Sequence, residues 1–255
     1  MTDAHGGPDG PVKTSQRLAR PDLPRRFYKN VTVGEDAGNF GVLLDGKPVR
    51  TPGRKPLAVA DRAVADVLAA EWAAQGERID PATMPLTRLV HSAVDGVAGE
   101  MAAVRAEVVK YAGSDLVCYR ADGPASLVAA QAAAWDPVVA WAREKLGARF
   151  ILSEGIVHVR QDPAAIAAVD RALAGLEPLR LAAASTVTTL TGSALIALML
   201  LSGALTPEEA WKAAHVDEDW QGSHWGSDAA AAARRASRWD EMRAAALALG
   251  RPAAN

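Results

Sequence analysis

The sequence has a single cysteine, Cys118, in 255 residues. No internal disulfide can form, and nothing points to an oxidising compartment. Its neighbours, Asp115-Leu116-Val117 and Tyr119-Arg120, read as half-buried structure rather than the setting of an activated thiol. A surplus of charge of one sign is also lacking. The 28 basic and 30 acidic residues leave a formal net charge of -2, so broad attraction to a phosphate backbone is excluded and nucleic acid is not the expected partner. Residues 1–25 contain no apolar run, which excludes a secretory signal, and Asp3, Asp9 and Asp22 weigh against an organelle transit peptide. That stretch is expected to be a flexible tail. The signatures GxGxxG, GxxxxGK[ST], GxSxG and HExxH are missing too, so neither a cofactor nor a resident metal is expected, and no enzyme class is supported.

What is present divides unevenly along the chain. Residues 26–100 carry the strand signals. Arg26-Phe27-Tyr28-Lys29-Asn30-Val31-Thr32-Val33 is rich in aromatic and β-branched residues, and Gly34 to Asn39 has turn composition. Phe40-Gly41-Val42-Leu43-Leu44 follows, then Asp45-Gly46, the pair favoured where two consecutive residues need positive φ. Lys47-Pro48-Val49-Arg50-Thr51 returns as an edge strand, since proline cannot donate to a ladder. A meander this small needs a cover. Val64, Leu68 and Trp72, with Val67 beside them, form one stripe of a helix that supplies it, with Gly76 at its end.

Residues 101–255 read as almost wholly helical and rich in alanine. Asp136-Pro137 is expected to split one long helix, and the segments 150–152 and 156–159 to form a small hairpin. Asp162-Pro163 and Thr206-Pro207-Glu208-Glu209 are helix starts, the second a capping box. Leu181 to Leu205 lacks charge over 25 residues and could span a membrane by length alone. Its Ser, Thr and Gly content, and its lack of paired interfacial anchors, favour a buried central helix. The last helix runs from about Asp228 to Leu249 and stops at Gly250. The fold class is therefore α+β, a small N-terminal antiparallel sheet with a covering helix, followed by a larger multi-helical C-terminal domain.

Two readings compete for His215-Val216-Asp217-Glu218-Asp219-Trp220-Gln221-Gly222-Ser223-His224-Trp225-Gly226. His215, Asp217, Glu218 and His224 offer metal-ligand chemistry, the basis for a metal-dependent hydrolase as the alternative function. Their spacing argues against it, because residues nine apart do not share a helical face. The preferred reading is a partner surface formed by Glu218, Asp219, Trp220 and Trp225, as tryptophan is enriched at interface hot spots. His91 and His158 are isolated and read as structural. Arg25, Arg26 and Arg50 lie near one sheet, as a solvated rim or a small anion site.

Six ordered motifs complete the reading: Arg26-Phe27-Tyr28-Lys29, Asp45 to Pro52 (DGKPVRTP), Glu71-Trp72-Ala73-Ala74-Gln75, Met84-Pro85-Leu86-Thr87-Arg88-Leu89, Asp115 to Arg120 and Trp135-Asp136-Pro137. In this order and spacing the chain resembles the assembly-chaperone family of the F-type ATP synthase alpha subunit, known in eukaryotes as mitochondrial complex assembly factor 2. The resemblance implies an ATP-independent chaperone that binds the free alpha subunit, covers the surface later taken by the beta subunit, and promotes assembly of the catalytic head. It also implies a functional acid in the C-terminal domain before a Trp-Gly pair. The match falls on Glu218, with Trp225-Gly226 following and Asp217 and Asp219 adjoining. With no targeting segment, a bacterial cytoplasmic member is expected, a monomer without membrane insertion.

Overall fold

Two tight turns build the N-terminal sheet, and each places two consecutive residues at positive φ: Ala37 (49°) with Gly38 (78°), and Asp45 (47°) with Gly46 (80°). That backbone twist matches the right-handed twist of the strands it joins. The first turn connects β1 (Val31–Asp36) to β2 (Asn39–Leu44) in antiparallel register, Val31 opposite Leu44 and Asp36 opposite Asn39. The second leads into β3 (Lys47–Pro48), and β4 (Ala58–Val59) pairs with the start of β2. The computed structural model describes residues 23–155, 157–226 and 228–250; of the tail expected over residues 1–25, residues 1–22 lie outside the described residues, while the Pro24 carbonyl accepts the Ile79 amide and Arg25 forms a bridge with Arg78.

The first strand starts later and ends later than its composition suggests. Arg26 to Asn30 stay out of the ladder because side chains take their backbone groups. Asp45 accepts the Lys29 and Asn30 amides, and Arg26 donates to the Tyr28 and Lys29 carbonyls. The same guanidinium reaches the Ala73 and Gln75 carbonyls just beyond the covering helix, α1 (Arg62–Ala73). Arg26 is thereby a helix C-terminal cap and not part of an anion site. Asp61 caps the other end of α1, and Val64, Ala65 and Leu68 are its buried stripe. Val67 lies off that stripe, 41% exposed. Glu71 leaves α1 to accept the Leu86 and Thr87 amides, both at 2.8 Å, so it satisfies the open N-terminus of α2 (Pro85–Asp95).

The rest is helical: α3 (Met101–Ala112), α4 (Ala125–Lys145), α5 (Pro163–Leu173), α6 (Pro178–Thr191), α7 (Ala194–Leu201), α8 (Pro207–Ala214), α9 (Val216–Trp225) and α10 (Ala229–Leu249). A short parallel pairing of β5 (Tyr119–Arg120) with β6 (Ser153–Glu154) stands in place of the expected 150–159 hairpin. Pro137 does not split α4. It lacks an N–H for the Ala133 carbonyl, but its own ring is exposed, and Trp135, Val138 and Ala142 are buried on both sides of it. Trp135 is 1% exposed and its Nε1 donates to the Ala213 carbonyl at 2.7 Å. This anchoring offsets the cost of a proline inside a helix, about 3 kcal/mol including the lost hydrogen bond.

The uncharged 181–205 stretch is largely buried up to Leu200, as expected, yet as two helices, and residues 202–204 are exposed. Gly192, at φ 69°, closes α6 in the left-handed conformation that glycine adopts without strain. Ser193 then caps α7 through the Ile196 amide. Thr186, Thr188, Thr189 and Thr191 each donate to a carbonyl four residues back, so the buried hydroxyls of Thr188 and Thr191 carry their own partners into the packed interior. No helix among the described residues is long and apolar enough to cross a membrane. One apolar cluster extends from Tyr28 of the sheet region to Leu249 of α10.

Candidate partner-binding site

The helix carrying the candidate residues is set in place by the one before it. Thr206 and Glu209 form the predicted capping box at the start of α8: the Thr206 hydroxyl accepts the Glu209 amide at 3.2 Å, and Glu209 accepts the Thr206 amide at 2.8 Å. The helix ends at His215, whose imidazole turns inward. Its Nδ1 meets the Trp211 carbonyl at 2.7 Å, and its ring lies 3.9 Å from the Trp211 ring. Since a carbonyl can only accept, Nδ1 carries the proton. Burial, opposed by that hydrogen bond, holds the His215 pKa below its usual value, so the ring is neutral at pH 7.

Then α9 begins with Asp217, Glu218 and Asp219 in its first turn, where the positive end of the helix dipole favours carboxylates. The three point to different partners. Asp217 accepts from Gln131 Nε2 at 2.7 Å, and Gln131 accepts the Ala121 amide with its oxygen. Asp219 pairs with Arg235 of α10. Glu218 keeps a side chain 60% exposed, with the His215 ring 4.0 Å away and the Arg235 guanidinium within electrostatic reach.

The aromatic residues close the far end of α9. Trp220 donates its Nε1 to Ser126 Oγ at 3.1 Å. Its ring stacks on His224, with centroids 4.1 Å apart, and meets the edge of Trp225 at 5.7 Å. Trp225 is 76% exposed, the most exposed large apolar side chain among the described residues. The structure thus brings Trp220, His224 and Trp225 into one aromatic group. Glu218 and Trp225, seven residues apart, share a face of α9. Asp219 is exposed as well, paired with Arg235 of α10.

The competing metal reading does not survive this geometry. His215 is committed to Trp211, Asp217 to Gln131 and His224 to the Trp220 stack. Among the described residues no group of three or more His, Cys, Asp and Glu side chains could hold an ion. His158 meets the Tyr119 hydroxyl at 3.1 Å, a structural contact. Asp136 pairs with Arg120, and Asp115 is buried on backbone amides. Gln131, Ser126 and Arg235, which hold the site's residues in place, had no signal in the sequence, since each is distant in the chain from what it holds.

Comparison with known proteins agrees with this architecture. Residues 25–143 match the family model of the ATP12 chaperone protein. The chain is 49% identical to the Atu1473 protein of Agrobacterium tumefaciens, a candidate chaperone, over 96% of this chain and 91% of that one, with a TM-score of 0.84. It is 39% identical to Atp12 from Paracoccus denitrificans, over 89% of this chain and 97% of that one, with a TM-score of 0.80. The mitochondrial protein atp12 of Schizosaccharomyces pombe is 24% identical over 228 residues, 85% of this chain and 78% of that protein. With the same small sheet, the same helical body and this degree of identity across nearly the whole length, the chain belongs to the ATP12 chaperone family.

Proposed function

We propose that this protein binds the unassembled alpha subunit of the F-type ATP synthase, shields the surface later taken by the beta subunit, and releases it by partner exchange without ATP hydrolysis. The observation that carries the contact site is Trp225, a large ring held 76% exposed on the same face of α9 as the largely exposed Glu218 carboxylate. A large apolar ring left in water is a poor arrangement for an isolated side chain and a good one for a partner. Glu218, Asp219, Trp220 and Trp225 are the proposed contacts. The region 101–255 is the client-binding part, and 26–100 is a smaller α/β unit beside it. A bacterial cytoplasmic monomer is the form in which we expect it to act, in keeping with its two bacterial relatives.

The test is a sizing column loaded with this protein and its host's alpha subunit, alone and with beta. Co-elution with alpha and not with beta is expected, together with slower aggregation of alpha in the absence of nucleotide. Glu218→Lys is expected to weaken binding while shifting fold stability by less than about 0.5 kcal/mol, as for other surface substitutions. Equal aggregation of alpha with and without the protein would overturn the reading.

A further inference from the structure

His215 occupies the joint between two helices of the candidate site, closing α8 and opening α9. Its ring is 3% exposed, and the two ring nitrogens have different settings. Nδ1 donates its N–H to the Trp211 carbonyl at 2.7 Å, which leaves a lone pair on Nε2 of the neutral ring. Nε2 makes no hydrogen bond among the described residues, and it lies 4.0 Å from Glu218 Oε2. Two acceptors stand opposite each other there, with nothing to hold them together. A proton on Nε2 reverses the sign. The ring becomes a cation with a donor facing a carboxylate, and the Glu218 side chain, 60% exposed, has room to turn onto it.

The groups around the ring fix when this happens. Burial, the largest effect, disfavours the charged ring; the Trp211 bond and Glu218 of α9 favour it, and Arg235 and Arg238 of α10 oppose it. Neither arginine is idle: Arg235 holds Asp219, and Arg238 donates to the Leu190 carbonyl of α6 at 2.7 Å. α4 meets this joint through the uncharged Trp135, bonded to the Ala213 carbonyl. The ring that is neutral at pH 7 therefore takes its second proton below the ordinary imidazole value of 6.5.

We infer that His215 regulates the client surface: when Nε2 gains a proton from solvent, Glu218 turns onto it and leaves the face of α9 that it shares with Trp225. Client binding is strong with His215 neutral and weaker with it charged. This rests on the alpha-subunit reading, with Glu218 as a contact, and adds how acid controls that contact. His215 is a positioning residue, since it acts on the client only through Glu218. Trp225 carries no charge and keeps its share of the binding, so the loss is partial.

The experiment measures binding of the host's alpha subunit between pH 7 and pH 5 by the full chain, His215→Asn and Glu218→Gln. Asparagine keeps a donor for the Trp211 carbonyl and cannot take a proton. Over this range the parent's affinity should fall about threefold more than that of either variant, the worth of one exposed ion pair. Titration of the client's own groups is common to all three proteins and cancels in that comparison. Circular dichroism at each pH separates loss of the contact from loss of the fold. A second readout needs no client: NMR titration of the His215 ring in the parent and in Glu218→Gln. Removing the carboxylate should lower the pH at which the ring titrates. Should His215→Asn not fold, the Glu218→Gln comparison and the NMR titration decide the same question. If the parent binds and all three proteins share one pH dependence, or if His215 titrates alike with and without Glu218, the regulation is refuted while the alpha-subunit reading stands. Failure of the parent to bind at pH 7 overturns both inferences.

Discussion

Asp115 has no solvent exposure, and its carboxylate lies at the N-terminus of α7. It accepts the Val117 amide at 3.3 Å and the Leu195 amide at 3.0 Å, with Ser193 and the Ala194 amide also bonded to it. Burial wins over these bonds and pushes its pKa from 3.8 to about 6. The folded state therefore holds the proton more tightly than the unfolded state between those values. Stability from this group rises as pH falls through 6 and levels off below 3.8. The full span is about 3 kcal/mol, since a tenfold difference in proton affinity between the two states corresponds to about 1.4 kcal/mol. Linkage gives about 1.3 kcal/mol of it between pH 7 and pH 5.

In Asp115→Asn, either orientation of the amide sets an NH2 group against backbone N–H donors. At least one buried donor is then left without an acceptor, at about 1–3 kcal/mol. We expect a loss of about 2 kcal/mol at pH 7, since the lost bonds exceed what is regained by removing a buried charge. The gap between parent and variant should widen by about 1.3 kcal/mol at pH 5, because only the parent gains from protonation. Urea unfolding of both proteins at the two pH values measures this, and all other titrating groups cancel in the difference. A gap that stays constant or narrows at pH 5 would refute the reasoning.

The remaining predictions concern other parts of the interior. Burial, reinforced by Asp115, pushes the Cys118 thiol up to about 12, so labelling by a thiol reagent at pH 8 should proceed only as fast as the protein opens. Labelling at the rate of a free thiol would show the site to be accessible. Trp135→Phe removes the donor to the Ala213 carbonyl and leaves a void, and should cost about 2–4 kcal/mol in urea unfolding. Thr206→Ala breaks one arm of the capping box and should cost about 1 kcal/mol by the same assay.

Local chemistry marked in the sequence most of what is local in the fold. Asp45-Gly46 could be read as a turn because few residues tolerate positive φ, and Thr206-Pro207-Glu208-Glu209 as a helix start because its bonds lie within four residues. The helical stripe of Val64 and Leu68 was legible for the same reason, and the ordered motifs pointed to the family. Misreadings occurred where distant residues decide. Arg26 read as part of a solvated rim or a small anion site, yet it caps a helix ending nearly fifty residues away. Asp136-Pro137 looked like a break, yet Trp135 is pinned to a carbonyl 78 residues on.

The sequence by itself determined the helix and hairpin punctuation, the disulfide-free composition and the candidate stretch from His215 to Gly226. Only the tertiary structure decided which members of that stretch are free. It turned His215 inward onto Trp211, tied Asp217 to Gln131 and Asp219 to Arg235, and left Glu218 and Trp225 on the surface. The physical reason is that a side chain's availability depends on who else needs it. Those partners come from helices that sequence patterns describe singly and packing alone brings together.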